Sequence, residues 1–234
     1  MKRFVPPNCQ HCPVRQHSVQ AACKLADLEL FALGKTCQQY QRGQFVFREG
    51  SWPLGLYCIY HGHIKVSKLG GDGKEQIMRL AKAGDVLGYR ALLADSTHSA
   101  DAIALDDAEV CQLPRADFFR LIERSAPFST SVMKLLAQVL GETEERLLHM
   151  AYKPVRERLA EALLLLLRTY PPPPEAPNQI SIGRDDLAAL VGTAKETVSR
   201  FMAELKDEGV LTTKGSAITV LQAERLVEIS TLYE

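Results

Sequence analysis

The sequence predicts an α+β protein in which a β-roll is followed by a long helix and by a smaller helical domain that contains a β-hairpin. Between Cys37 and about Pro114, glycines separate short segments of alternating polarity, a pattern typical of short strands joined by tight turns. After Pro114 the apolar residues recur every three to four positions, which indicates helices. Near the C-terminus, the spacing of a helix-turn-helix is followed by the residues of a hairpin.

Length and composition limit the class of protein. The chain has 234 residues, enough for two domains of ordinary size. Its 28 basic and 28 acidic residues cancel, so the net charge indicates no particular partner. The longest apolar run, Ala162 to Leu167, is far shorter than the ~20 residues of a membrane-spanning helix, and the N-terminus lacks an apolar stretch of signal-peptide length. We therefore expect a cytoplasmic protein with no membrane partner.

Changes in composition and in the spacing of apolar residues along the chain predict four regions. The first region carries three cysteines and three prolines but no acidic residue, which predicts an irregular basic arm. The regions are the cysteine-containing N-terminal arm (1–24), the roll (25–126), the long helix (127–152) and the C-terminal domain (153–234).

Local composition and the positions of prolines predict individual strands and helices. Gln44–Phe47 and Gly55–Tyr60 have the composition of strands. Phe118–Ile122 belongs to the first helical stretch after the roll. Pro154 begins a later helix, since proline is tolerated in the first turn. Pro171–Pro177, which holds five of the chain's prolines, would form a stiff connector.

The long helix is predicted to carry one apolar seam. At 1.5 Å per residue, about 25 residues would extend about 37 Å. A seam of this length favours packing against a second copy of the chain, and the alternative is that it covers its own roll. The apolar positions are Phe128, Val132, Leu135, Leu136, Val139, Leu140, Leu147 and Met150.

Residues 184–203 have the spacing of a helix-turn-helix. Ala188 is small where two helices would touch, and Gly192 stands where a sharp turn requires positive φ. Thr193 is the predicted N-cap of the second helix. A hairpin within 209–221 would follow as the wing.

The second helix is predicted to present base-reading side chains. Arg200 matches guanine O6 and N7, Glu196 can accept from the cytosine amino group, and Ser199 can bond to either strand. Lys195 suits a phosphate or a guanine. The candidate DNA contacts are Thr193, Lys195, Glu196, Thr197, Ser199 and Arg200.

The charge of the C-terminal region and the motifs of the whole sequence help to distinguish a DNA-binding protein from other classes. From residue 153 onward, ten basic residues stand against twelve acidic ones, so base contacts and dimer geometry would contribute more than phosphate attraction. We find no nucleophile motif, phosphate loop or dinucleotide fingerprint and expect no enzyme. A ligand-binding or interaction module that does not bind DNA is the alternative class.

The chain resembles the Crp/Fnr family of bacterial transcriptional regulators over nearly its whole length. The segments that carry the resemblance are Gly43–Gly50, Leu56–Gly62, Gly84–Gly88, Val191-Gly192 and Glu196-x-x-Ser199-Arg200. The resemblance implies a cyclic-nucleotide-binding-like roll, a long dimerisation helix and a winged helix-turn-helix. It also implies a homodimer on double-stranded DNA with palindromic TTGAT-like half-sites, and RNA polymerase as a partner.

Within that family, one branch binds a cyclic nucleotide through a Gly-Glu pair and an Arg-Ser pair. Here Tyr89 follows Gly88, and His98 stands before Ser99 at the arginine position. Without a guanidinium, a buried cyclic phosphate would lack its main charge partner, so we do not expect cyclic AMP. The candidate effector-pocket residues are Tyr89, Arg90, His98 and Ser99.

The iron–sulfur branch of the family uses three N-terminal cysteines and a fourth late in the roll, and thiolates can hold such a cluster. Ten residues separate Cys12 from Cys23, a longer gap than the family pattern, so Cys37 is a possible substitute. Zinc, a dithiol switch, an unidentified small ligand and simple packing of some cysteines are the alternatives. The resemblance thus implies Cys9, Cys12, Cys23 and Cys111 as candidate metal ligands.

Overall fold

The computed structural model describes residues 8–170 and 178–231, so the predicted connector at 171–177 lies outside the described residues. The chain divides into two compact units. One contains most residues up to Gly141, and the other contains residues 69–77 together with those from Glu142 onward. No helix in the described ranges is long and apolar enough to cross a membrane.

The predicted β-roll is confirmed, and it consists of two four-stranded sheets. One sheet has the order β1-β8-β3-β6 and the other the order β2-β7-β4-β5. The strands are β1 (Thr36–Tyr40), β2 (Phe45–Phe47), β3 (Gly55–His61), β4 (Ile64–Leu69), β5 (Glu75–Ala81), β6 (Val86–Leu87), β7 (Asp101–Ala104) and β8 (Ala108–Pro114).

Helices pack on the outer face of the first sheet. Three buried phenylalanines, Phe31, Phe118 and Phe128, join them, with ring centroids 5.7 and 5.9 Å from that of Phe128 in edge-to-face pairs. Such pairs add to the free energy gained from burial of the rings. The helices are α1 (Leu25–Gly34), α2 (Tyr89–Leu93), α3 (Arg115–Arg124) and α4 (Ala126–Tyr152).

The described part of the N-terminal arm differs from the predicted irregular segment. It forms three short 3₁₀ turns, Cys9–His11, Pro13–His17 and Val19–Ala22. Cys9 and Val19 are buried in the same cluster as the phenylalanines. The described part of the arm therefore contributes side chains to the core.

The long helix is α4, and its apolar seam divides between two surroundings. Phe128 and Val132 are buried in the roll's helical core, as the alternative interpretation of the seam expects. Leu140 and Leu147 are 60% and 69% exposed. The first turns of α4 thus cover the roll, whereas the later leucines are open to solvent in this single chain.

The second unit contains the predicted helix-turn-helix and hairpin. Its three-stranded sheet has the order β10-β11-β9, and Gly215 turns the hairpin with φ of 62°. The elements are α5 (Val155–Thr169), β9 (Gln179–Ser181), α6 (Arg184–Val191), α7 (Lys195–Asp207), β10 (Leu211–Lys214), β11 (Ala217–Val220) and α8 (Ala223–Ser230).

Helix α5 supports α7 through its apolar and charged sides. Leu159 and Leu163 are fully buried. Arg156 donates from Nη2 to both carboxylate oxygens of Glu208, at 2.5 and 2.7 Å, just beyond the end of α7. Because this ion pair is exposed, the buried leucines contribute more to the packing than the pair does.

Candidate functional site

The turn between α6 and α7 requires the glycine that the sequence predicts there. Gly192 has φ of 72°, and its N–H donates to the carbonyl of Ala188 at 2.9 Å. A Cβ at this position would meet Cε of Met150. Both the left-handed backbone and the lack of space therefore favour glycine.

The predicted N-cap of α7 is wrong by one residue. Ala194 precedes the first turn, with extended φ and ψ, and no side chain caps the helix. The N–H of Thr193 instead donates to the carbonyl of Ala188, 3.2 Å away. Helix α7 thus begins one residue later than the sequence pattern predicts, because the turn that follows Gly192 is one residue longer.

Helix α7 has one buried and one exposed face. Val198, Met202 and Leu205 recur at helical spacing and are buried. On the other face, the first two turns bring four of the six predicted contacts together, within about 7.5 Å along the axis. The four exposed residues are Lys195, Glu196, Ser199 and Arg200. The other two predicted contacts, Thr193 and Thr197, are half-buried at the margins of this face.

Two cations of this face are held by neighbours in the free chain. Nζ of Lys195 lies 2.9 Å from a carboxylate oxygen of Asp185, in the first turn of α6. The guanidinium of Arg200 lies over the ring of Phe201, 4.6 Å from its centroid. Both contacts are at the surface and weak enough to be exchanged for a ligand.

A second candidate site consists of cysteines on the outer face of the roll. Cys111 of β8 stands directly opposite Cys37 of β1 on one side and Cys58 of β3 on the other. Directly paired residues share a face of the sheet. Cys37 and Cys111 form a disulfide, with Cα atoms 4.0 Å apart.

A cavity of about 20 Å³ lies between this row and the arm. Cys9, Cys12, Cys58 and Cys111 line it. The side-chain amide of Gln20 donates to Sγ of Cys58 at 3.3 Å. Burial raises the pKa of the Cys58 thiol to about 12, so this thiol is neutral at ordinary pH.

The candidate metal ligands do not come together as a set. Cys23 is absent from the cavity lining, and Cys111 is bonded to the proposed substitute, Cys37. The cavity has room for about one water molecule. In the described ranges, no group of three or more His, Cys, Asp or Glu side chains has an arrangement that could hold a metal ion. The disulfide form therefore fits neither an iron–sulfur cluster nor a four-thiolate zinc.

Cys58 is the cavity residue that sequence reasoning missed. Its flanking residues Tyr57 and Ile59 are apolar and buried, which favours a packing role. The signal that identifies it is its register with Cys111 on a neighbouring strand. That register depends on strand pairing across more than 50 residues, which no local pattern specifies.

The candidate effector-pocket residues are also dispersed. Tyr89 is buried, and its hydroxyl accepts from Nη1 of Arg79 at 3.2 Å. His98 is 4% exposed and stacks on Phe47 with centroids 3.8 Å apart. Arg90 and Ser99 are exposed. These side chains do not fit the cyclic-phosphate site of the resemblance, because an imidazole packed on an aromatic ring replaces the guanidinium.

The burial of His98 predicts a pH-dependent stability. Desolvation lowers the pKa of His98 below its ordinary value of 6.5, so the unfolded chain binds more protons than the folded one. The free energy of unfolding should then fall as the pH drops through about 6.5, by at most about 1.4 kcal/mol per pH unit. Urea unfolding at about pH 7.5 and 5.5 measures this slope. A His98→Phe variant should have a shallower slope, whereas a His61→Phe control, altered at an exposed position, should not; equal slopes in all three proteins would contradict the prediction.

Family models match both halves of the chain. A cyclic nucleotide-binding domain matches residues 37–125, and a Crp-like helix-turn-helix domain matches residues 157–229. The first match covers the roll with α3, and the second covers α5 to α8.

Known proteins resemble the chain over most of its length. The cyclic AMP receptor protein of Thermus thermophilus is 33% identical over 191 residues, 82% of this chain and 86% of that protein. The fumarate and nitrate reduction regulatory protein of Vibrio cholerae is 27% identical over 226 residues, 95% and 90% of the two chains. The structure of FixK2 from Bradyrhizobium japonicum shares the fold, with a TM-score of 0.75 at 24% identity, over 84% of this chain and 98% of that one. The chain therefore belongs to the Crp/Fnr family of DNA-binding transcriptional regulators.

Proposed function

We propose that the protein binds a palindromic operator of TTGAT-like half-sites as a homodimer, and that the oxidation state of its cysteines sets its affinity for that operator. The observation that carries the first part is the exposed face of α7. Glu196, Ser199 and Arg200 lie there on two successive turns, and the N-terminal part of a recognition helix is the part that meets base edges.

The proposal of a dimer rests on exposed apolar residues of α4. Met133, Leu140 and Leu147 recur every seven residues and are 60%, 60% and 69% exposed. A stripe with this period faces one side of a helix and is typical of a two-helix interface. A second copy of α4 would cover the stripe and set two recognition helices one DNA turn apart.

The proposal for the effector rests on continuity between the cysteine cavity and α4. Cys9 lines the cavity and is 5% exposed. It belongs to the same buried cluster as Phe128 and Val132, in the first two turns of α4. A change of bonding among the cysteines therefore acts on packed side chains that extend to the proposed dimer helix.

RNA polymerase enters the proposal as a partner by family membership. A regulator of this family acts on transcription, so the DNA-bound dimer would contact the polymerase.

Fluorescence anisotropy with a labelled duplex tests the proposal. The duplex carries two TTGAT half-sites in inverted orientation, and a scrambled duplex of equal length and charge is the control at the same salt concentration. We expect two chains per duplex and at least about 10³-fold tighter binding to the palindrome. Equal affinity for both duplexes would overturn the assignment of α7 as a base-reading helix.

The effector is tested on the same duplex with protein reduced by dithiothreitol and protein oxidised by glutathione disulfide. We expect different dissociation constants for the two preparations. Iron, sulfide and zinc are measured on protein purified without oxygen. About four irons and four sulfides per chain would replace the thiol interpretation with a cluster, and one zinc would indicate a structural thiolate site.

The ion pair between Lys195 and Asp185 predicts a variant with higher affinity. Asp185→Asn removes a negative charge from the proposed DNA face and frees Lys195 for a phosphate. Operator affinity should rise by about threefold to tenfold per dimer at low salt, with a steeper salt dependence. Asp207→Asn, an equal charge change at the far end of α7, is the control. An affinity gain of the same size in the control would show that net charge alone is responsible.

A further inference from the structure

Cys111 has a thiol neighbour on each side. It is paired in register with Cys37 on β1 and with Cys58 on β3. Opposite residues on antiparallel strands have Cβ atoms about 4.5–5.5 Å apart, and a disulfide joins Cβ atoms at about 3.5–4.5 Å. A small local shift therefore suffices for Cys111 to bond to either neighbour.

The two neighbours differ in their surroundings. Among the described strands, β1 is at the edge of its sheet and pairs with β8, and Cys37 is outside the cavity lining. Cys58 lies on an inner strand and lines the cavity with Cys9 and Cys12. A bond between Cys111 and Cys37 thus links the edge strand β1 to β8. A bond between Cys111 and Cys58 would instead lie at the wall of the cavity.

We propose that Cys58 is a second disulfide partner of Cys111, so that the bond moves between Cys37–Cys111 and Cys58–Cys111 by thiol–disulfide exchange. The thiolate of Cys58 attacks Sγ of Cys111, and the bond from Cys111 to Cys37 breaks. Cys37 leaves as a thiolate and takes up from water the proton that Cys58 released. One disulfide exists before and after, so the step consumes no oxidant or reductant.

Exchange is an intramolecular reaction at a fixed site. The neutral Cys58 thiol would react slowly with a reagent in solution, because only the thiolate attacks. Its fixed position opposite Cys111 supplies a high effective concentration, which offsets the scarcity of thiolate. The outcome would be a half-buried, reducible bond at the arm and a free thiol on the edge strand, where low-molecular-weight disulfides can modify it.

Disulfide mapping of the full chain tests this inference. The protein is equilibrated in a glutathione redox buffer, quenched with acid, alkylated and digested with trypsin. Cleavage after Lys35, Arg42, Arg48, Lys65, Arg90 and Arg115 places Cys37, Cys58 and Cys111 on separate peptides. In the natural chain we expect the Cys37–Cys111 peptide pair together with a smaller amount of the Cys58–Cys111 pair.

Single variants decide the assignment. In Cys37→Ser, Cys58–Cys111 should become the main intramolecular disulfide; in Cys58→Ser, that pair should be lost and Cys37–Cys111 should remain. Cys23→Ser is the control and should match the natural chain. Recovery of Cys111 in Cys37→Ser as a free thiol, as a glutathione adduct, or bonded to Cys9 or Cys12 would overturn the inference.

The natural chain gives a readout even where a variant fails to fold, since absence of any Cys58–Cys111 pair across the redox series would also contradict the exchange. The mapping is independent of the proposed function, because it reports sulfur bonding alone. Operator binding measured on the same samples separates the two. Loss of specific binding in every sample would count against the DNA-binding proposal and leave the disulfide result standing.

Discussion

Replacing Arg200 with alanine is expected to weaken binding to the operator strongly, to remove the preference for guanine in each half-site and to leave the fold unchanged. The guanidinium is exposed on the second turn of α7 and lies over the ring of Phe201 in the free chain. A bidentate contact to guanine contributes about 1–3 kcal/mol. A dimer makes the contact twice, so affinity for the palindrome should fall by about 2–6 kcal/mol, on the order of 30- to 10⁴-fold.

Substituting bases in the duplex tests whether Arg200 contacts a base or only the phosphate backbone. For the natural protein, changing the guanine of each half-site should weaken binding, whereas Arg200→Ala should become nearly indifferent to that change. Lys206→Ala, which removes an exposed cation from the last turn of the same helix, is the matched control. It should lower affinity for all duplexes slightly and equally. If Arg200→Ala keeps its preference for guanine, another residue reads that position.

The features that the sequence predicts well are those with a local cause. The spacing of apolar residues predicts α4 within one residue at each end, because helical period is a property of neighbouring positions. Gly192 predicts the turn for the same reason, since its backbone conformation is one that only glycine adopts without strain. The predicted start of α7 is wrong by one residue, since Ala194 rather than Thr193 precedes the helix.

The features that sequence reasoning misses depend on pairings between distant residues. Cys37 and Cys111 are 74 positions apart, and nothing near either residue specifies that β1 and β8 place them opposite each other. The burial of Cys9 is equally non-local, because the core that receives it is formed by α1, α3 and α4. The polar, basic composition of the arm therefore does not predict that Cys9 and Val19 are buried.

His98 is buried among aromatic side chains of the roll. His98 carries no permanent charge, and its ring packs on Phe47 and near Tyr57, with centroids 3.8 and 6.4 Å away. Nε2 of His98 is buried and has no hydrogen-bond partner among the described residues. An unpaired neutral nitrogen costs less free energy than a buried charge does. The packing around His98 thus places a neutral ring where a bound anion would require a charged partner.

Replacing Leu140 and Leu147 together with glutamate is expected to convert the proposed dimer into monomers. Both leucines are mostly exposed in the single chain, so the change should cost little in the free energy of unfolding. In a symmetric pair of α4 helices, however, each glutamate would face its counterpart in the partner. The variant would lose apolar burial worth about 1.5–3 kcal/mol per leucine at full burial and would gain like-charge repulsion.

Sedimentation equilibrium measures the dimer directly, and anisotropy with the palindromic duplex measures its consequence. A monomer binds one half-site at a time, so operator affinity should fall by a factor of about 10² or more because the second site no longer binds at high effective concentration. Gln138→Glu adds a charge on the opposite side of α4 and should remain dimeric. A double leucine variant that sediments as a dimer and binds the operator normally would place the interface elsewhere, and the exposed leucines would then require a different partner.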